Sequence, residues 1–279
     1  MTDPQPSGAV GRGRYQPAPF RPTAVALDID GTLIDHDEML SPAVVDAVRR
    51  ASAQVPVFLA TGRAWSTTKP VADRFGLPDG GIVVVSNGAR TMRYPTGEVL
   101  DERTFDPRTV IASVREHAPN ARMAVEEYDG TYLVTAPFPD GDLGKNAKIR
   151  VVGDDELAPE PVTRLIIRDP EQSEADFVRL AERLGLHGVG YFVGWTAWLD
   201  IAPEGVDKST GLKVALAQYD LDASGLLAIG DGRNDIEMLT FAGHGVAMGS
   251  APDEVKSAAD EVTKSVTDDG VAAVLNRYF

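Results

Sequence analysis

Short apolar runs that alternate with helical patterns constrain the fold of this chain most strongly. The runs "TAVALDI", "VPVFLA" and "GIVVVSNG" have the length and β-branched content of buried strands, and "SPAVVDAVRRASA" and "TTKPVADRFG" between them have helical spacing. Ser41 is the predicted N-cap of the first helix, with Pro42 at its first position. Alternating strands and helices predict a parallel sheet with right-handed crossovers. Such sheets carry their chemistry at the carboxyl ends of the strands.

The alternation of strands and helices stops after "SNGA" and resumes near residue 203. A hairpin around "YPTGE", a helix near 107–117, the strands "RMAVEE", "TYLVTA" and "TRLIIRD", a helix near 171–184 and the paired runs "GVGYFVG" and "AWLDIAP" indicate an α+β insertion. The α/β pattern resumes with "DKSTGLKVALAQY", "LLAIG", a helix after "GDGRND", "HGVAM" and a terminal helix near 269–277. We therefore predict a doubly wound, Rossmann-like α/β core of residues 23–88 and 203–279, interrupted by an inserted α+β domain of residues 89–202.

The first 22 residues are rich in Pro, Gly and Arg and have no apolar period. This composition predicts a disordered tail over residues 1–22. A basic docking arm built on Arg12, Arg14 and Arg21 is the functional alternative.

The composition indicates which cellular compartment and which classes of binding partner to expect. The 279 residues carry 42 acidic and 27 basic side chains, a net charge of -15 that repels phosphate backbones and anionic lipid. We therefore expect neither nucleic acid nor membrane as a partner. The sequence has no apolar stretch long enough to span a membrane and no signal-peptide pattern, and it has no cysteine. These features predict a cytoplasmic protein.

Acidic residues gather at the predicted strand ends. Asp28 and Asp30 close the first strand, "ATGR" closes the second, and "GDGRND", which holds Asp231 and Asp235, closes a later one. In a parallel sheet these ends share one rim, where uncompensated like charges repel strongly. A cation among them is therefore expected. Oxygen ligands without cysteine or a histidine pair indicate a hard divalent ion, Mg²⁺.

Each motif taken alone has an ordinary structural explanation. "DIDG" suits an Asx turn at a strand end, "GDGRND" a polar helix start, and "ATGR" a common turn. The acidic spacing of "GDGRND" also differs from that of a calcium loop. Their order on successive strand ends of one sheet is what favours a functional site.

The set of motifs resembles the haloacid dehalogenase superfamily, and within it the Cof-like phosphatases with a large α/β cap. The resemblance covers residues 23–279 and rests on "DIDGTL", "ATGR", "SNGA", "DKSTGL" and "GDGRND". It implies that the inserted domain is a cap that determines substrate specificity. In order and spacing the motifs are specific for the superfamily. Sugar-phosphate mutases of the same cap type share them.

The resemblance also implies a role for each motif residue. Asp28 would be the nucleophile, and Asp30 the general acid and then base, with its backbone carbonyl on the metal. Thr61 and Gly62 would bind the phosphoryl oxygens, and Lys208 would join nucleophile and phosphate. The structural alternative for Lys208 is a solvated first-turn lysine, since this chain has "DKST" where many relatives have Lys-Gly.

The "GDGRND" motif supplies the remaining implied site residues. Asp231 would ligate Mg²⁺ directly, and Asn234 would contact the phosphate. Asp235 would ligate the metal through water or orient the other ligands. The implied metal set is therefore Asp28, Asp30, Asp231 and Asp235.

Other residues keep two interpretations each. Arg63 either clamps a substrate anion or pairs with a rim carboxylate, and Asn87 either shapes the hinge into the cap, which we favour, or meets phosphate. The aromatic residues Tyr191, Trp195 and Trp198 indicate cap core, with a sugar-stacking platform as the alternative. The histidines have no metal spacing and receive no role, although His36 is close to "DIDG" in sequence; they are His36, His117, His187 and His244.

We expect a Mg²⁺-dependent phosphatase that hydrolyses phosphomonoesters of small metabolites, such as sugar phosphates, through an aspartyl-phosphate. Its partner would be a small phosphorylated metabolite, and the chain would act as a monomer or small homo-oligomer. Phosphoglycolate-like acids and flavin or pyridoxal phosphates also fit. The alternatives are a phosphosugar mutase and a non-catalytic metal- or phosphate-responsive sensor.

Overall fold

The computed structural model describes residues 20–127, 129–144, 147–184, 189–194 and 198–279. The strands within these ranges are β1 (Ala24–Leu27), β2 (Val57–Ala60), β3 (Ile82–Val85), β4 (Arg90–Arg93), β5 (Glu98–Glu102), β6 (Arg122–Glu126), β7 (Thr131–Val134), β8 (Lys148–Val151), β9 (Leu165–Arg168), β10 (Val189–Gly194), β11 (Trp198–Pro203), β12 (Leu226–Gly230), β13 (His244–Ala247) and β14 (Glu261–Val262). The helices are α1 (Pro42–Ser52), α2 (Trp65–Phe75), α3 (Arg108–His117), α4 (Asp154–Leu157), α5 (Glu174–Leu184), α6 (Lys208–Ala217), α7 (Ile236–Phe241), α8 (Asp253–Ala258) and α9 (Gly270–Leu275).

The larger sheet has the strand order β14-β13-β12-β1-β2-β3-β4-β5. Its pairs from β14 to β3 are parallel, as the alternation of strands and helices predicts. Helices α1, α2 and α9 cover one face, and α6, α7 and α8 cover the other. The predicted doubly wound α/β core is therefore confirmed.

Strand β1 shows why the central strands β1, β2, β3 and β12 have no polar side chains. Val25 and Leu27 pack into the hydrophobic cluster on one face of the sheet, and Ala24 and Ala26 pack into the cluster on the other. All four residues are fully buried. Because side chains alternate across a strand, a strand covered on both faces is apolar throughout.

The predicted helix starts are visible as side-chain caps. The hydroxyl of Ser41 accepts a hydrogen bond from the Ala43 N–H at 3.2 Å, which confirms it as the N-cap of α1. Helix α6 begins with a capping box, in which the Asp207 carboxylate accepts from the Thr210 N–H at 3.1 Å. This cap fixes the start of α6, where Lys208 is the first helical residue.

The hairpin of β4 and β5 lies in the larger sheet. Strand β4 pairs antiparallel with β3, and β5 pairs with β4. We predicted this hairpin as the start of the insertion at residue 89, whereas its two strands extend the larger sheet. The sequence of a hairpin does not specify which sheet it extends, because that depends on pairing with a strand elsewhere in the chain.

The smaller sheet has the order β10-β11-β9-β6-β7-β8, and its strands come between β5 and α6 in sequence. Helices α3 and α5 pack on one face. The other face carries the cluster of Tyr132, Phe138 and Ile166, which also includes Ala64 from the loop that precedes α2. The inserted α+β unit is thus present and contacts the core. The boundaries of the domains stay a prediction.

Two further expectations concern the chain ends and membranes. Phe20, inside the predicted tail, packs against His244 and Tyr278 with ring centroids 5.2 and 6.0 Å away. Residues 1–19 lie outside the described residues. Among the helices that are described, none has the length and apolar character needed to cross a membrane.

Candidate active site

Three neighbouring strands end together at the rim of the larger sheet. Strand β1 lies between β12 and β2, and all three are parallel. Asp28 therefore follows β1 next to Thr61, which follows β2, and Asp231, which follows β12. Gly31 permits the close approach of the first and third loops: its φ is +79°, and a Cβ there would lie 2.2 Å from Asp231 Oδ2.

Lys208 is buried between two carboxylates of this rim. Its Nζ lies 2.6 Å from Asp28 Oδ1 and 2.6 Å from Asp235 Oδ1, and the residue is fully buried. Burial acts to lower the pKa of Lys208, but the charges of Asp235 and Asp28 outweigh it and raise that pKa above its usual value. The structure thus favours a site position over the solvated alternative for Lys208.

Asp235 is fully buried, and three donors hold its carboxylate. Its Oδ2 accepts the backbone N–H of Asp231 at 3.0 Å and that of Gly232 at 2.9 Å, while Oδ1 pairs with Lys208. The short helical turn Arg233–Asp235 brings it back to these amides. Both of its oxygens are engaged, which suits an orienting role better than a direct metal ligand.

Asp28, Asp231 and Asp235 each offer an oxygen within 4.8 Å of the others. Burial, and next the charge of Asp235, raises the pKa of Asp28 well above its usual value. The same two causes raise the pKa of Asp231 to about 6. One lysine among three carboxylates leaves an excess of negative charge in a buried space, and oxygen donors suit a hard divalent cation.

The carboxylate of Asp30 lies elsewhere. Arg63 donates to it from Nε at 2.8 Å and from Nη2 at 2.6 Å, and Nη2 also contacts Glu38 Oε1 at 3.3 Å. The group of carboxylates within 4.8 Å of one another therefore holds Asp28, Asp231 and Asp235 without Asp30, and the place of Asp30 in the metal set stays a prediction. A planar guanidinium binds both oxygens of a carboxylate, which draws this side chain toward α2. The pairing favours the second interpretation of Arg63. Burial acts to lower the pKa of Arg63, but the contacts with Asp30 and Glu38 together outweigh it and raise that pKa.

The "ATGR" loop carries internal hydrogen bonds. Thr61 is fully buried, and its Oγ1 accepts the N–H of Arg63 at 3.1 Å. An accepted hydrogen bond leaves the hydroxyl proton free to be donated elsewhere. A Cβ on Gly62 would lie 3.0 Å from the Asn87 side chain, so glycine also permits close packing here.

A polar chain crosses from the larger sheet to the smaller one. Asn234 donates to Asn87 Oδ1 at 2.9 Å, and Asn87 donates to Asp200 Oδ2 at 3.0 Å. Arg164 donates from Nε to Asp200 Oδ1 at 3.1 Å and from Nη1 to the Gly62 carbonyl at 2.5 Å. Sequence reasoning missed Arg164 and Asp200. A charged residue inside the apolar strand "WLDIAP" was the one available signal of a buried polar partner.

A cavity of about 570 Å³ opens beside these residues. Its walls come from the rim loops of the larger sheet and from the face of the smaller sheet; they include Asp30, Asp35, His36, Glu38, Gly62, Arg63, Tyr132, Asp140, Asp142, Arg164, Trp198 and Asp200. The volume is in the range of pockets that hold small metabolites.

The aromatic and histidine predictions have mixed outcomes. Trp198 packs on Phe138 with ring centroids 6.3 Å apart, in line with cap core, and also lines the cavity. Trp195, His187 and the side chain of Tyr191 lie outside the described residues. His36 lines the cavity, His117 contacts the Ser113 carbonyl at 2.9 Å, and His244 contacts Glu261 at 3.1 Å.

Comparisons with known proteins agree on one family. The model of the haloacid dehalogenase-like hydrolases matches residues 25–275. The chain is 27% identical to the 5-amino-6-(5-phospho-D-ribitylamino)uracil phosphatase YitU of Bacillus subtilis over 93% of this chain and 98% of that protein. It is 31% identical to a phosphoglycolate phosphatase of Natronomonas pharaonis over 91% and 96%. A crystal structure of a haloacid dehalogenase-like hydrolase from Bacteroides thetaiotaomicron aligns with a TM-score of 0.79 at 26% identity, over 93% of this chain and 100% of that one.

Proposed function

The chain belongs to the family of haloacid dehalogenase-like hydrolases, and from that membership we propose that it is a Mg²⁺-dependent phosphatase of small phosphorylated metabolites that works through an aspartyl-phosphate. The observation that carries the proposal is the buried pair of Lys208 contacts, at 2.6 Å, to Asp28 and Asp235 beside Asp231. Two relatives named as phosphatases of small metabolites support the reaction class.

Asp28 is the proposed nucleophile. A carboxylate oxygen of Asp28 forms a bond to phosphorus while the bond from phosphorus to the ester oxygen breaks. Water then attacks the phosphorus, the bond to Asp28 breaks, and inorganic phosphate leaves. Lys208 favours the charged form of Asp28 for the first step, because its ammonium is 2.6 Å from Asp28 Oδ1.

Asp30 is the proposed acid and base. It gives a proton to the leaving ester oxygen and takes one from the attacking water. In the described structure its carboxylate is held by Arg63. Arg63 occupies both carboxylate oxygens, so this ion pair must open before Asp30 can reach the leaving oxygen.

The carboxylates fit a divalent metal ion. Asp28 and Asp231 would hold Mg²⁺, and the backbone carbonyl of Asp30 would complete the protein ligands. Asp235 would orient these ligands through its contact with Lys208 and the hydrogen bond that it accepts from the Asp231 N–H. Bound Mg²⁺ would neutralise charge on the phosphate oxygens.

The phosphate group is proposed to bind beside this cluster. Thr61 can donate its hydroxyl proton, since its oxygen already accepts from Arg63. The backbone at Gly62, the ammonium of Lys208 and the amide of Asn234 are the other proposed phosphate contacts. The neighbouring cavity of about 570 Å³ would hold the leaving group.

Replacing the nucleophile tests the proposal directly. Asp28→Asn should lower the release of phosphate from p-nitrophenyl phosphate in the presence of Mg²⁺ by at least ~10³-fold, because an amide does not attack phosphorus. Asp37→Asn is the matched control, since Asp37 lies in the exposed loop after the motif with 73% of its side chain accessible. Unchanged turnover in a folded Asp28→Asn protein would refute the assignment.

A further inference from the structure

The buried ion pair of the smaller sheet contacts the phosphate-binding loop. Arg164 and Asp200 are each 5% exposed. Their guanidinium and carboxylate meet through two bonds, from Arg164 Nε and from Nη2. The remaining terminal nitrogen, Nη1, donates to the carbonyl of Gly62. A charged group of the cap therefore touches the backbone of the "ATGR" motif.

One peptide unit links the hydrogen bond of Arg164 to the side chain of Thr61. The Gly62 carbonyl and the Arg63 N–H belong to the same peptide, and that N–H donates to Thr61 Oγ1 at 3.1 Å. A charge-assisted bond to a carbonyl polarises the peptide and strengthens its N–H as a donor. A stronger bond to Thr61 Oγ1 leaves the hydroxyl with its proton directed away from Arg63.

Asp200 holds Arg164 in place and extends the contact to the hinge. Its Oδ2 accepts the amide of Asn87 at 3.0 Å, and Asn87 in turn accepts from Asn234. Residue Asn87 has a φ of 53°, so its side chain starts from an unusual backbone conformation. The "SNGA" motif thus contacts the same pair of cap residues directly, and the "GDGRND" motif is linked to the pair through Asn87.

We propose that Arg164, oriented by Asp200, is a positioning residue for phosphate binding: it fixes the Thr61 hydroxyl as a donor to the substrate phosphate through the Gly62–Arg63 peptide. This inference rests on the proposed phosphatase function. It assigns the cap a part in binding the phosphate itself, for every substrate, in addition to contacts with the leaving group.

Inorganic phosphate is the discriminating probe because it has no leaving group for the cap to contact. In the variant Arg164→Gln/Asp200→Asn, which removes both charges together, we expect the inhibition constant of phosphate to rise about tenfold and kcat on p-nitrophenyl phosphate to fall by a similar factor. The matched control is Arg115→Gln/Asp154→Asn. Arg115 also binds both oxygens of an aspartate in the smaller sheet domain, at 2.6 and 2.7 Å, and donates to the Ala121 carbonyl instead of a rim loop.

A double-mutant cycle with Thr61→Val tests whether Arg164 acts by positioning the Thr61 hydroxyl or only by stabilising the surrounding structure. If Arg164 acts through Thr61, its replacement has little further effect on phosphate inhibition once the hydroxyl is gone. Arg164→Lys is measured in parallel, because it keeps the buried charge and so spares the fold if the neutral pair unfolds. Unchanged phosphate inhibition in folded Arg164 variants, or additive effects in the cycle, would overturn the inference. Wild-type protein that releases no phosphate at all would instead count against the proposed function.

Discussion

Replacing Lys208 by methionine tests the electrostatics of the site without a substrate. The substitution keeps most of the side-chain volume and removes one charge from a fully buried position. Asp28 and Asp235, each 2.6 Å from Nζ, then lose their counter-ion. Breaking a buried ion pair from one side costs about 3–5 kcal/mol, because the partner charge stays buried and unpaired. We expect that loss in the free energy of unfolding at pH 7 in EDTA.

The loss should depend on pH and on metal. The pKa of Asp28 is already raised by burial and by Asp235, so the folded variant takes up protons as the solution is acidified. Protons bound by the folded state stabilise it, and the deficit should therefore be smaller at pH 5 than at pH 7. Mg²⁺ should reduce the deficit at pH 7, because it supplies positive charge to the same carboxylates.

Urea unfolding followed by circular dichroism measures both effects. Lys69→Met is the control, since Lys69 pairs with Asp73 at 2.9 Å on the surface of α2, and such a pair is worth about 0.3–0.5 kcal/mol. A Lys208→Met deficit no larger than that of Lys69→Met would refute the electrostatic account. So would a deficit that is the same at pH 5 and pH 7.

Two other predictions concern the wild-type cluster and the turn beside it. Because the pKa of Asp231 is raised to about 6, the folded metal-free protein binds more protons than the unfolded chain between about pH 4 and pH 6. Thermal unfolding in EDTA should therefore show higher stability at pH 5 than at pH 7, by about 1.3 kcal/mol, and saturation with Mg²⁺ should abolish the difference; a metal-free protein that is equally stable at both values would contradict this. Gly31→Ala should lower phosphatase activity by at least ~10-fold, because the new Cβ would lie 2.2 Å from Asp231 Oδ2. Gly80→Ala is its control, since Gly80 has a similar φ of +85° with nothing within 4 Å of the Cβ position, and equal losses of activity in both variants would remove the steric explanation.

The architecture could be predicted where burial or a local hydrogen bond produces a recognisable pattern in the sequence of an element. Strand β1 and its parallel neighbours are apolar runs because both faces are covered, and Ser41 marks a helix start through a local hydrogen bond. Strand β8 (Lys148–Val151) was missed because all of its residues are exposed, so it carries no burial pattern. Its pairing with β7 is a backbone interaction that leaves no signature in the side chains.

The candidate site could be predicted in part. Strand order alone brings Asp28 and Asp231 together. The N-terminal capping box of α6 fixes the start of that helix and so places Lys208 beside them. The direction of the Asp30 carboxylate could not be predicted, because it depends on the turn after the strand and on Arg63 from another loop. Arg164 could not be found for a similar reason, since its partners Gly62 and Asp200 come from two distant parts of the chain.

Titration calorimetry with Mg²⁺ tests most directly whether a divalent cation explains why three carboxylates lie within 4.8 Å of one another. We predict that the wild-type chain takes up magnesium and that the Asp231→Asn variant, shown to be folded by circular dichroism, takes up none under the same conditions. Wild-type protein that binds no magnesium, or an Asp231→Asn variant that binds it as well as the wild type, would contradict the account.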